Sequence, residues 1–297
     1  MDILEELISL AQVSGRVNVK CQFQGAWQLE HSYSQQGIVH IVTQGSGYLR
    51  YPDSESIPIH RGDILFFPRG LEHSLSHHPE FAKNPSHLTA YQQGVFSIKQ
   101  NMPQVTPDFS LFCACFQYDM QSELIQNLPE MMIVHLEPIQ LEAVTCLLKW
   151  ESEQISLGSQ LIINHLATIL LTLIIRDYLA QETQLLGIFS GWQDKRLKGL
   201  LQALIKYPEQ DWSIDKMATF AHLSRSQFIR LFKQHLATSP HAYLHKIRLQ
   251  KSAMLLKQSA DTILAIALST GFQSETHFGK AFKAFYGMPP SQYRKMD

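Results

Sequence analysis

The strongest constraint on this chain is a repeat near its C-terminus. Ser224, Phe228, Phe232, Lys233, Pro240 and Tyr243 return fifty positions later as Ser274, Phe278, Phe282, Lys283, Pro290 and Tyr293. Ala218 returns one residue out of step as Ala267. A shared offset held over roughly twenty residues is the mark of a duplicated supersecondary unit, and it fixes how this end of the chain can fold.

Each copy reads as two short helices joined by a tight turn. In the first, Ser213 precedes Ile214, Met217, Ala218 and Ala221 at helical spacing, with Asp215 in the first turn, where a carboxylate suits the positive helix end. His222-Leu223 turns the chain, and Ser224 with Gln227 forms a capping box that opens a second helix. Phe228, Leu231 and Phe232 face inward there, leaving Arg225, Ser226, Gln227, Arg230 and Lys233 outward. In the second copy Asp261 or Thr262 caps a helix carrying Ile263, Ile266 and Ala267, and Gly271-Phe272 makes the turn. Ser274 then caps a helix with Phe278, Ala281, Phe282 and Phe285 inside and Glu275, Thr276, His277, Lys280 and Lys283 outside. Tyr243 to Lys257 reads as one linking helix, with Leu244, Ile247, Leu255 and Leu256 as its apolar positions.

Charge follows the repeat. Residues 213–297 carry 12 Lys and Arg against 4 Asp and Glu, a net +8, while residues 1–212 carry 13 against 22, a net −9. A near-neutral chain thus has a basic end, the footprint of phosphate contacts.

Gly271-Phe272, Ser274, Phe278, Phe282-Lys283, Gly287, Pro289-Pro290 and Tyr293-Arg294 together resemble the signature of the AraC/XylS family of transcription regulators. The resemblance covers roughly the last hundred residues. It implies two helix-turn-helix motifs on a rigid linking helix, with recognition helices about 34 Å apart in adjacent major grooves of promoter DNA. By position it implies that Ser226, Ile229 and Arg230, and then Glu275, Thr276, His277, Gly279 and Lys280, face the bases. Arg230 suits guanine, Glu275 suits the cytosine amino group, and Lys233 and Lys283 suit phosphates. His222 departs from the family, which usually has glycine in the first turn.

A chain of 297 residues is long enough for two domains. The start, Met1-Asp2-Ile3-Leu4-Glu5-Glu6, has acids where an export signal has bases. The most apolar run, Leu161 to Leu179, is broken by Asn164, His165, Arg176 and Asp177, so it reads as a packing or dimer helix rather than a membrane span. These features point to the cytoplasm, where cysteines rest reduced.

From about residue 16 to 118 the pattern changes to short strands. Val17–Val19, Trp27–Leu29, Val39–Ile41, Tyr48–Leu49, Ile64–Phe67, Gly94–Ile98 and Phe112–Tyr118 are separated by Gly, Pro, Asp and Ser clusters. Such spacing argues for a β-sandwich or barrel. It also resembles the two cupin motifs. Gly25, His31-Ser32-Tyr33 and Gly45 follow the first; Gly62, Pro68-Arg69-Gly70 and His73 follow the second. Metal-binding cupins supply three histidines and a glutamate in this frame. Here the second histidine becomes Tyr33 and the glutamate becomes Ile38. His40 lies two residues further on the same strand face, so His31, His40 and His73 are the candidate metal ligands, with His77-His78 nearby. The competing reading is that these histidines line a barrel wall or bond to backbone.

Residues 1–14 form a short apolar helix. Leu141 to Glu153 and Gln160 to Ala180 form two longer ones, placed by analogy as a dimerisation element, and residues 181–194, with Gly187 and Gly191, read as a loose connector. Cys146, in a helix, reads as a packing residue. Cys113 and Cys115 are poorly placed to bridge each other along one strand, whereas a bridge from Cys21 to either is geometrically open. Lys20 beside Cys21 would favour its thiolate.

Cys21, Trp27-Gln28-Leu29, His40, Thr43-Gln44-Gly45, Pro68, His73-Ser74-Leu75-Ser76-His77, Cys113 and Leu128-Pro129-Glu130 resemble the cupin-bearing AraC subgroup that includes a bacterial sensor of reactive chlorine. That resemblance implies an oxidation-driven pairing of Cys21 with a later cysteine, although Ser110 falls at the partner's position.

The expected protein is α+β. It has a cupin-like barrel with its N-terminal helix over 1–135, dimerising helices over 136–182, a linker over 183–194 and an all-α double helix-turn-helix domain over 195–297. The expected function is a non-enzymatic, homodimeric regulator of promoter DNA, an activator engaging RNA polymerase, with no resident cofactor. Its signal enters through Cys21, Cys113 and Cys115, through a metal at His31, His40 and His73, or through a small ligand. An enzyme barrel fused to a DNA-binding domain is the alternative.

Overall fold

The computed structural model describes residues 3–80, 87–154, 156–182 and 184–296. In chain order the elements begin with α1 (Ile3–Leu10), β1 (Ser14–Phe23), β2 (Gln28–His31), β3 (Gly37–Gln44), β4 (Ser46–Arg50) and β5 (Ile57–His60). Then come β6 (Asp63–Phe67), β7 (His73–Ser76), β8 (Thr89–Gln93), β9 (Phe96–Gln100), β10 (Phe109–Gln117), α2 (Glu123–Gln126) and β11 (Met132–His135). The remainder is helical: α3 (Pro138–Glu153), α4 (Ser159–Gln181), α5 (Gly187–Gln193), α6 (Lys195–Lys206), α7 (Ile214–Phe220) and α8 (Arg225–Leu236). It closes with α9 (Pro240–Gln258), α10 (Ile263–Ser269), α11 (Glu275–Tyr286) and α12 (Pro290–Tyr293).

The chain forms two compact units. A barrel unit comprises Val13–Tyr118 and Pro129–Glu182; a helical unit comprises Met1–Gln12, Asp119–Leu128 and Thr183–Asp297. The division therefore differs from a boundary near residue 135. The N-terminal helix and the segment around α2 group with the C-terminal helices.

In the barrel unit, the described strands form a seven-stranded sheet, β11-β6-β3-β10-β1-β9-β8, and a four-stranded sheet, β2-β7-β4-β5. All pairings are antiparallel except β1 with β9. The inner faces alternate as expected for a closed β architecture, burying Phe23, Trp27, Val42, Leu49, Leu65, Phe67, Phe109 and Leu111 in one cluster. Trp27 stacks on Phe109 at 4.3 Å and on Phe23 at 5.0 Å. The outer face of β1 carries α4, where a Cβ on Gly15 would come within 2.8 Å of the Ala167 methyl, so only glycine permits this approach. By length and composition α4 could cross a membrane. Its buried stripe, Ile163, Leu166, Ala167, Leu170, Leu171, Ile174 and Ile175, is instead the surface a helix lays on a core.

The helical unit is arranged around α9, which buries Tyr243, Leu244, Ile247, Leu249, Ala253 and Leu256. The expected helix pairs are present, with three serine or threonine N-caps at Ser213, Ser224 and Ser274, and with Thr262 rather than Asp261 capping α10. The connector expected over 181–194 contains α5, with Ile188 and Phe189 buried. Its Gly191 is a packing residue: a Cβ there would meet Leu201 and Leu236 at 2.9 Å.

Candidate nucleic-acid interface and barrel centre

Each recognition helix is held from behind by a pair of phenylalanines. Phe228 and Phe232 on α8 pack edge-to-face at 5.6 Å, and Phe232 meets Tyr243 of α9 at the same distance. Phe278 and Phe282 on α11 repeat this at 5.4 Å, with Tyr293 against Phe282 at 5.3 Å. Burying these rings leaves the opposite stripe in solvent. Arg225, Ser226, Gln227, Ile229, Arg230 and Lys233 are exposed on α8, as are Glu275, Thr276, His277, Lys280 and Lys283 on α11. Gly279 is half-buried, with open space where a Cβ would stand.

Several of these residues have local partners. Gln227 Oε1 accepts from the Ser224 backbone N–H at 3.3 Å and from its hydroxyl at 2.8 Å, completing the capping box. Arg225 contacts Asp215 at 3.3 Å across an exposed gap. Arg294, part of the sequence signature, is structural: it donates to the carbonyls of Leu256 and Asp261.

The other site lies inside the barrel. Strand pairing sets His31 of β2 opposite His73 of β7, and Cys113 of β10 opposite His40 of β3. One ring nitrogen from each of the three histidines lies within 4.8 Å of the other two. Tyr33, at the cupin frame's second histidine position, is 64% exposed and takes no part, and Ile38 joins the apolar core. His40 supplies the third imidazole. His77 is occupied by the Trp27 backbone, whose N–H donates to its Nδ1 at 3.1 Å, and it does not join the group.

Hydrogen bonding orders this centre. His73 Nδ1–H donates to the Leu71 carbonyl at 2.7 Å, because a carbonyl only accepts. A neutral ring then leaves Nε2 as an acceptor, and His40 Nε2–H donates to it at 2.8 Å. His40 Nδ1, 3.2 Å from Cys113 Sγ, is left to accept from that thiol. His31 Nε2 is buried with no hydrogen-bond partner. Burial holds the imidazoles neutral: it pulls His31 down to about 3, His73 to about 4 and His40 well below its usual range. The neighbouring Cys21 thiol, followed by burial, pushes the Cys113 thiol well up. Burial also raises Cys115, which is only half-buried.

Cys21 and Cys113 are thus brought together, and both are fully enclosed free thiols. Lys20 does not serve Cys21. It points to the other sheet face, over the Phe112 ring at 5.7 Å and toward Ser152 on α3. The cation that does reach the centre is Lys99, which pairs with Cys21 across β1 and β9 and bears electrostatically on His31, His40, Cys113 and Cys115. Nothing local in the sequence marks it, because a parallel pairing across so many residues leaves no short-range signal. Cys146 is exposed on α3 and is not a packing residue.

Comparison with known proteins agrees with both halves. A family model described as "Cupin" matches residues 2–180, and one described as "Helix-turn-helix domain" matches residues 217–296. The chain is 46% identical to the HTH-type transcriptional regulator MtrA of Neisseria gonorrhoeae, across 99% of this chain and 98% of that protein. It is 37% identical to an HTH-type transcriptional regulator of Haemophilus influenzae, across 99% of both. Identity to the RCS-specific HTH-type transcriptional activator RclR of Escherichia coli is 27%, across 99% and 98%. The chain belongs to the AraC-type helix-turn-helix transcription regulators that carry an N-terminal cupin domain, and it is a DNA-binding protein of that kind.

Proposed function

We propose that this regulator is an oxidant-responsive activator whose trigger is the thiol pair Cys21–Cys113. The observation that carries this reading is the placement of two buried free thiols in one core cluster of the barrel, with His40 Nδ1 3.2 Å from Cys113. The RCS-specific name of the Escherichia coli relative supports the same class of signal. An enclosed apolar site favours a small neutral oxidant, and hypochlorous acid fits. One thiol attacks its chlorine, releasing water and forming a sulfenyl chloride; the second thiol displaces chloride and loses its proton, leaving a disulfide. Cys21 faces Leu111 in the strand register, so it is diagonal to Cys113. Diagonal residues stand about 7–8 Å apart at Cα, above the ~4.4–6.8 Å range of disulfides, so closure pulls β1 against β10. A signal acts only by favouring one arrangement of the protein over another, and this strain supplies the difference. Cys115, half-buried further along β10, is a spectator in this scheme.

On the DNA side, Ser226, Ile229, Arg230, Glu275, Thr276, His277, Gly279 and Lys280 read base edges, while Arg225, Gln227, Lys233 and Lys283 border the phosphates. The exposed apolar residues Ile139, Leu147 and Trp150 on α3 and Leu161, Ile162 and Ile169 on α4 suit a homodimer contact. The protein acts in the cytoplasm, engages RNA polymerase at its promoters and turns over no substrate.

Stoichiometric hypochlorous acid is expected to remove two free thiols per chain and to change operator binding. A Cys21→Ser protein that responds like the wild type overturns the thiol trigger and leaves the DNA-binding assignment standing.

A further inference from the structure

We propose that Arg248 is a positioning residue for DNA recognition: it ties the segment entering the first helix-turn-helix to the turn of the second, and so fixes which spacing between two DNA half-sites the protein accepts. The inference rests on the reading that α8 and α11 both meet base edges, and it adds what sets their separation and angle.

Arg248 lies near the middle of α9, the helix on which both pairs lean. Its guanidinium donates through Nε to the Pro208 carbonyl at 2.8 Å and through Nη2 to the Gln210 carbonyl at 3.0 Å. Those carbonyls belong to the segment that runs into Ser213, the cap of α7. The same guanidinium lies against Gly271: a Cβ there would meet its Cζ and Nε at 2.8 Å. One planar group therefore touches the entry of the first unit and the turn of the second. Its neighbours on this face of α9 grip the second unit as well. His245, one turn before, packs edge-on against Phe272 at 5.4 Å, and Ser252 Oγ, one turn after, lies 2.8 Å from Thr270 Oγ1. Arg248 adds the link to the first. Burial lowers its proton affinity, and Asp211 and Glu209 in the tied segment oppose that shift, so the cation sits beside its counter-charges.

The first unit meets α9 near that helix's N-terminal end, where Tyr243 packs on Phe232 at 5.6 Å. A contact at one point permits rotation about it, and a second tie, at Arg248, removes that freedom. Arginine suits the task because its fork presents donors in a fixed plane, whereas an ammonium is a mobile point charge. DNA converts such rigidity into register. One added base pair moves a half-site by about 3.4 Å along the axis and turns it by about 34° around it. Helices held at one angle lose contacts on the shifted site; helices free to swing recover them at a cost in ordering.

The test uses full-length protein and a duplex selected by the wild type from a random-sequence DNA pool, together with versions carrying one base pair more or one fewer between the half-sites. The wild type is expected to lose roughly tenfold or more in affinity on either altered duplex. Arg248→Gln is expected to bind all three within about threefold of one another, and the selected one more weakly than the wild type does. Arg248→Lys keeps the charge and the stem; it is expected to melt close to the wild type by circular dichroism and still to show the flattened profile. Loss of stability alone lowers binding to the three duplexes alike and leaves their ratio untouched, so the ratio is the deciding quantity. Wild-type ratios in both variants, a wild type indifferent to spacing, or a failure of both variants to fold each overturns the assignment. Scrambling either half-site with no effect on the wild type removes the two-helix reading itself; unchanged ratios in the variants remove only the role of Arg248.

Discussion

The first helix-turn-helix turns at His222, with φ 54°, and opens α8 with reciprocal Ser224–Gln227 bonds; the second turns at Gly271, with φ 90°, and opens α11 with Ser274 alone. Residues shared by the two copies are mostly those the fold needs: the cap serine, both core phenylalanines, the helix-starting proline and the packing tyrosine. Several of the residues that differ lie on the outward stripe: Ser226 against Thr276, Gln227 against His277, Ile229 against Gly279 and Arg230 against Lys280. Duplication kept the core phenylalanines and let the outward stripe diverge, so the two helices present different chemistry to solvent. Lys233 and Lys283 are the exposed exception, and an unchanged cation suits the unvarying phosphate backbone.

If the scaffolds are equivalent, Phe232→Ala and Phe282→Ala should each cost about 3–5 kcal/mol in chemical denaturation. A difference between them well beyond 1 kcal/mol, on the order of one poorly filled methylene, would break the equivalence. If the surfaces have diverged, Arg230→Ala should relax one base position by about 1–3 kcal/mol. Lys283→Ala should weaken all sequences alike and reduce the salt slope by about 1. Identical losses for both variants on scrambled operators would erase that distinction. At the turns, Gly271→Ala should destabilise by about 1–2 kcal/mol, since alanine disfavours this φ. Its Cβ would also press on Arg248 at 2.8 Å, a side chain already bonded to the carbonyls of Pro208 and Gln210. His222→Gly should raise the melting temperature or leave it level; a clear fall would mean that the histidine contributes a contact of its own. The smallest effect lies at the caps. Ser224→Ala should cost about 1 kcal/mol or slightly more, and Ser274→Ala somewhat less, because only the first loses a reciprocal pair.

The repeat was legible because helix pairs are local: cap, periodic apolar face and turn lie within about two dozen residues. Strands β1, β3, β6 and β10 were legible from their apolar runs. The short polar β7, His-Ser-Leu-Ser, and the exposed β8, Thr-Ala-Tyr-Gln-Gln, were not, because neither alternates strongly. Helix α5 was hidden by Gly187 and Gly191, which suggest looseness in a sequence yet here permit close packing. The histidine triad could be found from motif spacing. The contact of Cys21 with Cys113 and the reach of Lys99 depend on register across β1, β10 and β9, which no local pattern encodes.

The helical unit has a further consequence. Asp119 accepts from the Tyr286 hydroxyl at 2.7 Å, Glu123 pairs with Lys246 at 2.6 Å, and the Asp119 N–H donates to the Ala11 carbonyl at 2.8 Å. Three separate stretches of chain, threaded through the sequence of the barrel, must therefore assemble before this unit is whole. No single cut can release it: a fragment starting after Glu182 would leave Tyr286 without its acceptor and Lys246 without its counter-ion. The helical unit is stitched from three stretches of one covalent thread, and it cannot be snipped free as an intact module.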